Sequence, residues 1–314
     1  MKALQKKSYG CHRSPFHPDH QALYRQWREE KLQAYPRNVA ELIVPLKDFI
    51  SPKSLEKQAL LELCRKTNMA VYSCEKQQDI NKDSVRHFCA RFGLQRLDHN
   101  LCSDNDGISA LQVMPGGTHA EYIPYSNHAI NWHTDGYYNA PQQWIRGMVL
   151  HCVQPAQEGG INELMDPEMA YLLLRDMNPD YIVALMQEDA MSIPANVQNG
   201  VEIRPRQTGP VFSISESGDL HMRYTARTRS IEWKEDEATR QAVRALEQIL
   251  REDSPFKFQV RLQAGQGLLS NNILHTRSCF TDDPDNKRLM FRARFYDRIQ
   301  GSGIDSLCFS PNMT

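Results

Sequence analysis

Three residues of this 314-residue chain could together hold a divalent transition metal. His133, Thr134 and Asp135 stand in the run INWHTDGYYN, and on an extended strand residues i and i+2 point to one face, so the imidazole and the carboxylate converge. His275, in GLLSNNILHTR, follows a second apolar run and completes a set of two histidines and one carboxylate. Such a set covers one face of an octahedron and leaves three positions open, which suits iron that must take a bidentate co-substrate and O2. A second H-x-D triplet, His17-Pro18-Asp19, lies in a proline-rich stretch with no flanking strand. Cys11, His12 and His20 beside it offer a single cysteine to a zinc site and read as solvated surface residues.

A second chemical feature begins 12 residues after His275, in the run KRLMFRARFY (287–296). Strand alternation puts Arg288, Met290, Arg292, Arg294 and Tyr296 on one face and Leu289, Phe291, Ala293 and Phe295 on the other. Guanidinium groups on a buried face need anionic partners, because desolvating an unpaired one is costly, and their fork matches a carboxylate bidentately. An edge strand with its arginines in water is the alternative.

The elements that must position these groups follow from periodicity. Residues 19–34 space Leu23, Trp27 and Leu32 as a helix, Ser51-Pro52 opens a second helix over SPKSLEKQALLELCRK, and 83–92 form a third, closed by Gly93. From about residue 108 the pattern changes to short β-rich runs: ISALQVM, WIRGMVLHCV, FKFQVRL, GLLSNNIL and RLMFRARFY. Between the second and third runs lie helical stretches, EMAYLLLRDM and DEATRQAVRALEQILRE, the latter with a stripe of Ala242, Leu246, Ile249 and Leu250. The reading is an α+β chain with a mainly β core: a single domain over 1–314, mostly helical over 1–105, with the core over 106–300, a helical insertion around 163–255 and a tail over 301–314.

Composition narrows the classes of function. A net charge of −1 with 24% charged and 40% hydrophobic residues is that of an ordinary globular protein and points to neither nucleic acid nor membrane. No apolar run is long enough to span a bilayer, and the eight cysteines show no CxxC pair or disulfide framework, so reduced thiols in the cytoplasm are expected. A homo-oligomer is compatible with this composition.

The H-x-D pair, the distal histidine and an arginine 13 residues beyond it resemble the TauD/TfdA family of 2-oxoglutarate oxygenases, over about residues 108–298. That group includes taurine, γ-butyrobetaine and glutarate hydroxylases. The resemblance implies a double-stranded β-helix (jelly roll) with N-terminal helices and a helical insertion as buttresses and lids. It implies Fe(II) on His133, Asp135 and His275, with 2-oxoglutarate and O2 as co-substrates and succinate and CO2 as products. Arg288 would pair with the far carboxylate of 2-oxoglutarate, Arg292 would help hold it, and Asn162 of Gly159-Gly160-Ile161-Asn162 would touch it. Asn162 and the Phe291-Arg292 step lean toward the γ-butyrobetaine and glutarate branch, although its cysteine-rich N-terminal zinc module is missing here. Asp135 fits hydroxylation rather than the halogenase variant, in which a small residue replaces the carboxylate.

For the substrate, HMRYTARTR gathers Arg223, Arg227 and Arg229, and with Arg292 or Arg294 these favour a small anionic metabolite. Tyr122, Tyr125, Trp132, Tyr137 and Tyr138 instead suggest an aromatic cage, hence a betaine or trimethylated amino acid. A catalytically silent jelly-roll binding protein is the reading from a different class, and it would not need an open facial triad.

Overall fold

A computed structural model describes residues 14–33, 35–74, 80–99, 106–113 and 123–304; Cys11, His12, Cys102, Tyr122 and Cys308 lie outside them. The first helix, α1 (Gln21–Gln33), buries Tyr24, Trp27 and Lys31, one helical face at spacings of three and four. Strand β1 (Ile43–Leu46) leads to α2 (Ser54–Thr67), β2 (Met69–Cys74), α3 (Lys82–Ala90) and β3 (Ile108–Leu111). The strand β4 (Ile130–His133) precedes β5 (Gly147–Gln154), the short β6 (Glu158–Gly159) and β7 (Asn162–Met165). Helices α4 (Pro167–Met177) and α5 (Pro179–Leu185) open the insertion. Short strands follow: β8 (Met191–Ile193), β9 (Asn196–Gln198), β10 (Val201–Arg204), β11 (Gln207–Gly209), β12 (Phe212–Ile214), β13 (Leu220–Met222) and β14 (Glu232–Trp233). After α6 (Glu237–Arg251) come β15 (Lys257–Val260), β16 (Gln266–Ser270), β17 (Leu274–Arg277), β18 (Phe280–Thr281) and β19 (Leu289–Phe295).

Two sheets form the jelly roll. The larger has the order β1-β2-β16-β5-β19-β3 and the smaller β15-β7-β17-β4. Along β19 the expected alternation holds: Met290 joins the core that runs to the smaller sheet and the insertion, whereas Phe291, Ala293 and Phe295 pack in a second cluster with Leu60 of α2 and Phe88 of α3. Helices therefore cover the back of the larger sheet, and its front is left to Arg292 and Arg294.

The structure departs from the sequence reading in three places. The N-terminal part supplies β1 and β2 to the larger sheet as well as helices. β2 is covered on both faces, so MAVYSC carries no alternation to betray it, and β1, with Pro45, takes the edge that proline tolerates. Helix α2 begins at Ser54, with the Glu56 carboxylate accepting from the Lys53 backbone at 2.7 Å, while Ser51 sits outside it with its N–H on Asp48. Finally, the stretch between β7 and β15 holds small sheets besides helices, and GLLSNNIL is two strands in different sheets, split at Asn271-Asn272. Among the described residues no helix is long and apolar enough to cross a membrane.

His151 of β5 sits behind the larger sheet, 1% exposed, stacked 5.9 Å from Tyr72 and tilted against Phe49 at 5.1 Å, with its Nδ1 3.2 Å from the Tyr72 hydroxyl. Burial pulls its pKa down to about 4 from 6.5, so the unfolded chain takes up this proton first. The folded state keeps its full advantage above about pH 6.5 and loses it as pH falls toward 4, by about 3 kcal/mol in all. Denaturant midpoints measured between pH 7.5 and 4.5 should therefore fall more steeply for the wild type than for His151→Gln, which cannot titrate; parallel curves would reject this assignment.

Candidate metal centre

β17 and β4 run antiparallel, and their register places His275 directly opposite His133. Directly opposed residues share a face with Cβ atoms about 5 Å apart, and here the two imidazole rings lie 4.2 Å apart, centroid to centroid. Asp135, just past the end of β4, brings its Oδ1 to 3.8 Å from His133 Nε2. One candidate ligand atom from each of His133, Asp135 and His275 lies within 4.8 Å of the others, and no other histidine, cysteine and carboxylate group of this kind occurs among the described residues. His17 pairs only loosely with Asp19, at 3.8 Å, and belongs to no such group.

The tautomers suit a metal. His133 Nδ1 lies 2.9 Å from the Asn131 carbonyl and His275 Nδ1 3.0 Å from that of Ile273, which assigns the proton to Nδ1 and leaves each Nε2 with a free lone pair. Burial, and then the charge of its neighbour His275, lowers the His133 pKa to about 3; burial also lowers that of His275, so both rings are neutral at pH 7. Burial opposes the charge on Asp135, but the guanidinium groups of Arg292 and Arg294 outweigh it and hold the carboxyl well below its usual range. Asp135 Oδ2 is buried with no hydrogen-bond partner among the described residues, and Oδ1 accepts only a long 3.4 Å bond from Arg292. A neutral, neutral and anionic donor set around an unsatisfied buried oxygen fits a divalent cation.

Asn272, which the sequence reading passed over, positions the carboxylate. Its Oδ1 accepts from the Asp135 N–H at 2.8 Å, and its Nδ2 donates to the carbonyls of Asp135 at 2.9 Å and Ile145 at 2.7 Å. At φ +53° Asn272 occupies the left-handed region that asparagine tolerates, so it both turns the chain from β16 into β17 and clamps the loop after β4. Thr134 points the other way: its N–H donates to the Tyr224 carbonyl at 3.0 Å and its Oγ1 accepts from the Tyr224 N–H at 3.1 Å. That pairing lays Thr225, 1% exposed, opposite His133 in an isolated antiparallel bridge at the β4 edge of the smaller sheet.

The other expected site residues are distributed as follows. Arg288 is 5% exposed, and its guanidinium and that of Arg277 each lie 5.0 Å from the centre of the Phe280 ring. Gly160, at φ +67°, brings the chain close to the Arg288 Nε, and at Gly159 (φ +73°) a Cβ would stand 2.2 Å from the Cys279 carbonyl, so the glycine pair lets β6 meet β18. Asn162 is buried on β7 and donates to the Thr276 carbonyl at 2.8 Å. Arg294 is engaged by Asp98 at 2.6 Å and by the Tyr138 hydroxyl at 3.2 Å. Arg223 is buried against carbonyl oxygens, Arg227 and Arg229 are exposed, Tyr125 is buried in the core, and Tyr137 packs edge-on to Tyr138 at 5.1 Å. Arg277, unforeseen, donates to the carbonyls of Pro124, Ser126 and His128 and pins the loop before β4.

Removing His133 or His275 should abolish binding of a divalent metal such as Co(II), followed by its ligand-field absorption. Asn272→Gly keeps the backbone conformation easy and removes the clamp, so metal affinity should fall about tenfold or more with thermal stability changed far less. Undiminished affinity in Asn272→Gly would show that the Asp135 carboxylate needs no such support.

Residues 73–294 match the family described as Taurine catabolism dioxygenase TauD, TfdA family. A uridine-5'-phosphate dioxygenase of an Amycolatopsis species is 30% identical over 176 residues, which cover 54% of this chain and 62% of that protein. One from a Streptomyces species is 29% identical over 198 residues, covering 60% of this chain and 69% of that protein. The fold is shared with an asparagine oxygenase solved with Fe(II), 3-hydroxyasparagine and succinate (TM-score 0.54, 14% identity, 85% of this chain and 87% of that one). It is shared also with the non-heme iron oxygenase OrfP solved with Fe and alpha-ketoglutaric acid (TM-score 0.55, 16% identity, 76% and 78%). The chain belongs to the taurine catabolism dioxygenase TauD, TfdA family.

Proposed function

We propose that the protein is an Fe(II)- and 2-oxoglutarate-dependent oxygenase that hydroxylates a small anionic metabolite, with a nucleoside 5'-monophosphate as the favoured class. The observation that carries the oxygenase reading is the cross-strand pair His133 and His275 completed by Asp135, with one carboxylate oxygen unsatisfied. Iron held there would supply one-electron redox chemistry and open coordination positions for the co-substrate and O2.

The residues around that set have separable tasks. His133 and His275 present neutral Nε2 atoms, and Asp135 stays ionised beside Arg292. Arg288 has a buried guanidinium against the Phe280 ring and no carboxylate within ion-pair distance among the described residues, so it is ready for the 5-carboxylate of 2-oxoglutarate. Asn162 lies by the same glycine pair and has its amide oxygen left for that ligand. In balance, substrate C–H, 2-oxoglutarate and O2 become the alcohol, succinate and CO2.

For the substrate, the two relatives near 30% identity are uridine-5'-phosphate dioxygenases, which supports a phosphorylated nucleoside over the γ-butyrobetaine and glutarate branch. The aromatic cage loses ground as well. Tyr125 is buried within the core, Tyr122 lies outside the described residues, and Trp132 is taken by the Lys257 ammonium at 5.7 Å.

Two measurements bear on this. Arg288→Ala should weaken 2-oxoglutarate binding about thirtyfold, the loss of about 2 kcal/mol that goes with a charge-assisted pair; equal affinity would remove Arg288 as the anchor. Succinate release should rise above the uncoupled background with uridine 5'-phosphate and stay low with γ-butyrobetaine or glutarate. Turnover confined to the betaine would reverse the choice of substrate class.

A further inference from the structure

The insertion places a guanidinium against Tyr138, the ring that hydrogen-bonds Arg294, and no motif marks it. Arg204, at the end of β10, is held by two carbonyls, donating from Nη1 to Pro205 at 2.9 Å and from Nη2 to Pro194 at 2.6 Å. Its guanidinium carbon lies 5.8 Å from the centre of the Tyr138 ring. The Tyr138 hydroxyl accepts from Arg294, which neighbours Arg292 on the inner face of β19, and Arg292 reaches Asp135 at 3.4 Å. Tyr138 and Arg294, whose charge acts on Asp135, thus link Arg204 to a candidate metal ligand.

Arg223 stands behind it. Its Nη2 donates to the carbonyls of Met191 at 3.3 Å and Gln207 at 3.1 Å, and its Nε is buried with no partner, in a side chain 2% exposed. Both arginines therefore hang from the same pair of strands: Met191 and Gln207 belong to β8 and β11, Pro194 follows β8 directly, and Pro205 stands two residues before β11. The two cations feel each other, since burial and then the charge of Arg204 lower the Arg223 pKa to about 10.

A carbonyl oxygen fixes the direction of a guanidinium without cancelling its charge. Among the described residues neither Arg204 nor Arg223 has a carboxylate within ion-pair distance, whereas Arg294 has Asp98 at 2.6 Å and Arg206, two residues from Arg204, has Glu232 at 2.6 Å. Two arginines kept close without a counter-ion, one of them half-buried and resting on a ring that hydrogen-bonds Arg294, make a site that an anionic group completes. A phosphate monoester, which carries close to two negative charges at neutral pH, matches two guanidinium groups better than a single carboxylate does.

We infer that Arg204, backed by Arg223 and seated on Tyr138, receives the phosphate of the primary substrate, an assignment that rests on reading the chain as an oxygenase of a phosphorylated nucleoside. The subsite selects the monophosphate over the bare nucleoside and sets how far the sugar reaches toward the metal. Arg223 is fastened to two strands and acts mainly by its field, so Arg204 is the residue that touches the ligand.

The test is calorimetric titration of the metal-loaded, 2-oxoglutarate-bound protein without O2, using uridine 5'-phosphate, uridine and inorganic phosphate as probes. Wild type should bind the monophosphate more tightly than uridine, and Arg204→Gln should lower that affinity about tenfold or more, to the level of uridine. Arg204→Lys should fall between the two, and Arg206→Gln should match wild type, with 2-oxoglutarate affinity equal in all four proteins. Monophosphate binding in Arg204→Gln within twofold of wild type would overturn the subsite even if coupled succinate release showed the oxygenase reading to be right. Phosphate binding that depends on Arg204, in a protein that does not bind the uridine compounds, would uphold the subsite and reject the nucleoside.

Discussion

The site depends on one register, that of β17 against β4. Because His275 lies directly across from His133, a slip of one residue would send one imidazole to the opposite face of the smaller sheet and leave no metal centre. Neighbouring contacts hold this register from both sides. On one side, β7 pairs with β17 through Leu164 and Met165; on the other, the Tyr224–Ala226 segment pairs with β4. The turn at Asn272 fixes where β17 begins and, through its side chain, where Asp135 ends up.

Charge is arranged around that register. Arg292 and Arg294 face the smaller sheet across the interior, and each is matched to a carboxylate, Asp135 and Asp98 respectively. The result is an ionised Asp135 beside two neutral histidines, a combination that burial alone would not produce, because burial disfavours every charged form. Arg288 stands further along the same strand with its guanidinium against an aromatic ring. His133, His275 and Arg288 are therefore spaced by strand geometry, and Asp135 by the loop that Asn272 clamps.

Legibility in the sequence followed periodicity. The arginine face of β19 could be read because a strand repeats every two residues, and helices α1, α3 and α6 because their apolar stripes repeat every three to four; His275 stood out by the apolar run before it, and Asp135 by its place two residues after His133, although β4 ends at His133. β2 could not, since a strand covered on both faces loses its alternation, nor could the short strands of the insertion, whose residues are too few to show a period. Arg204 stands in a short hairpin with no motif around it, and its place beside Tyr138 arises only from tertiary packing. The Asn271-Asn272 pair inside an apolar run was the one local signal of the clamp, because asparagine in such a run marks a turn.

The central claim, that His133, Asp135 and His275 hold iron with its remaining positions open to 2-oxoglutarate, is tested most directly by anaerobic visible absorption. Adding 2-oxoglutarate to the Fe(II)-loaded protein should produce a weak metal-to-ligand charge-transfer band, which arises only when the keto acid chelates the iron. Iron that binds at this site and yields no such band at saturating 2-oxoglutarate would contradict the account.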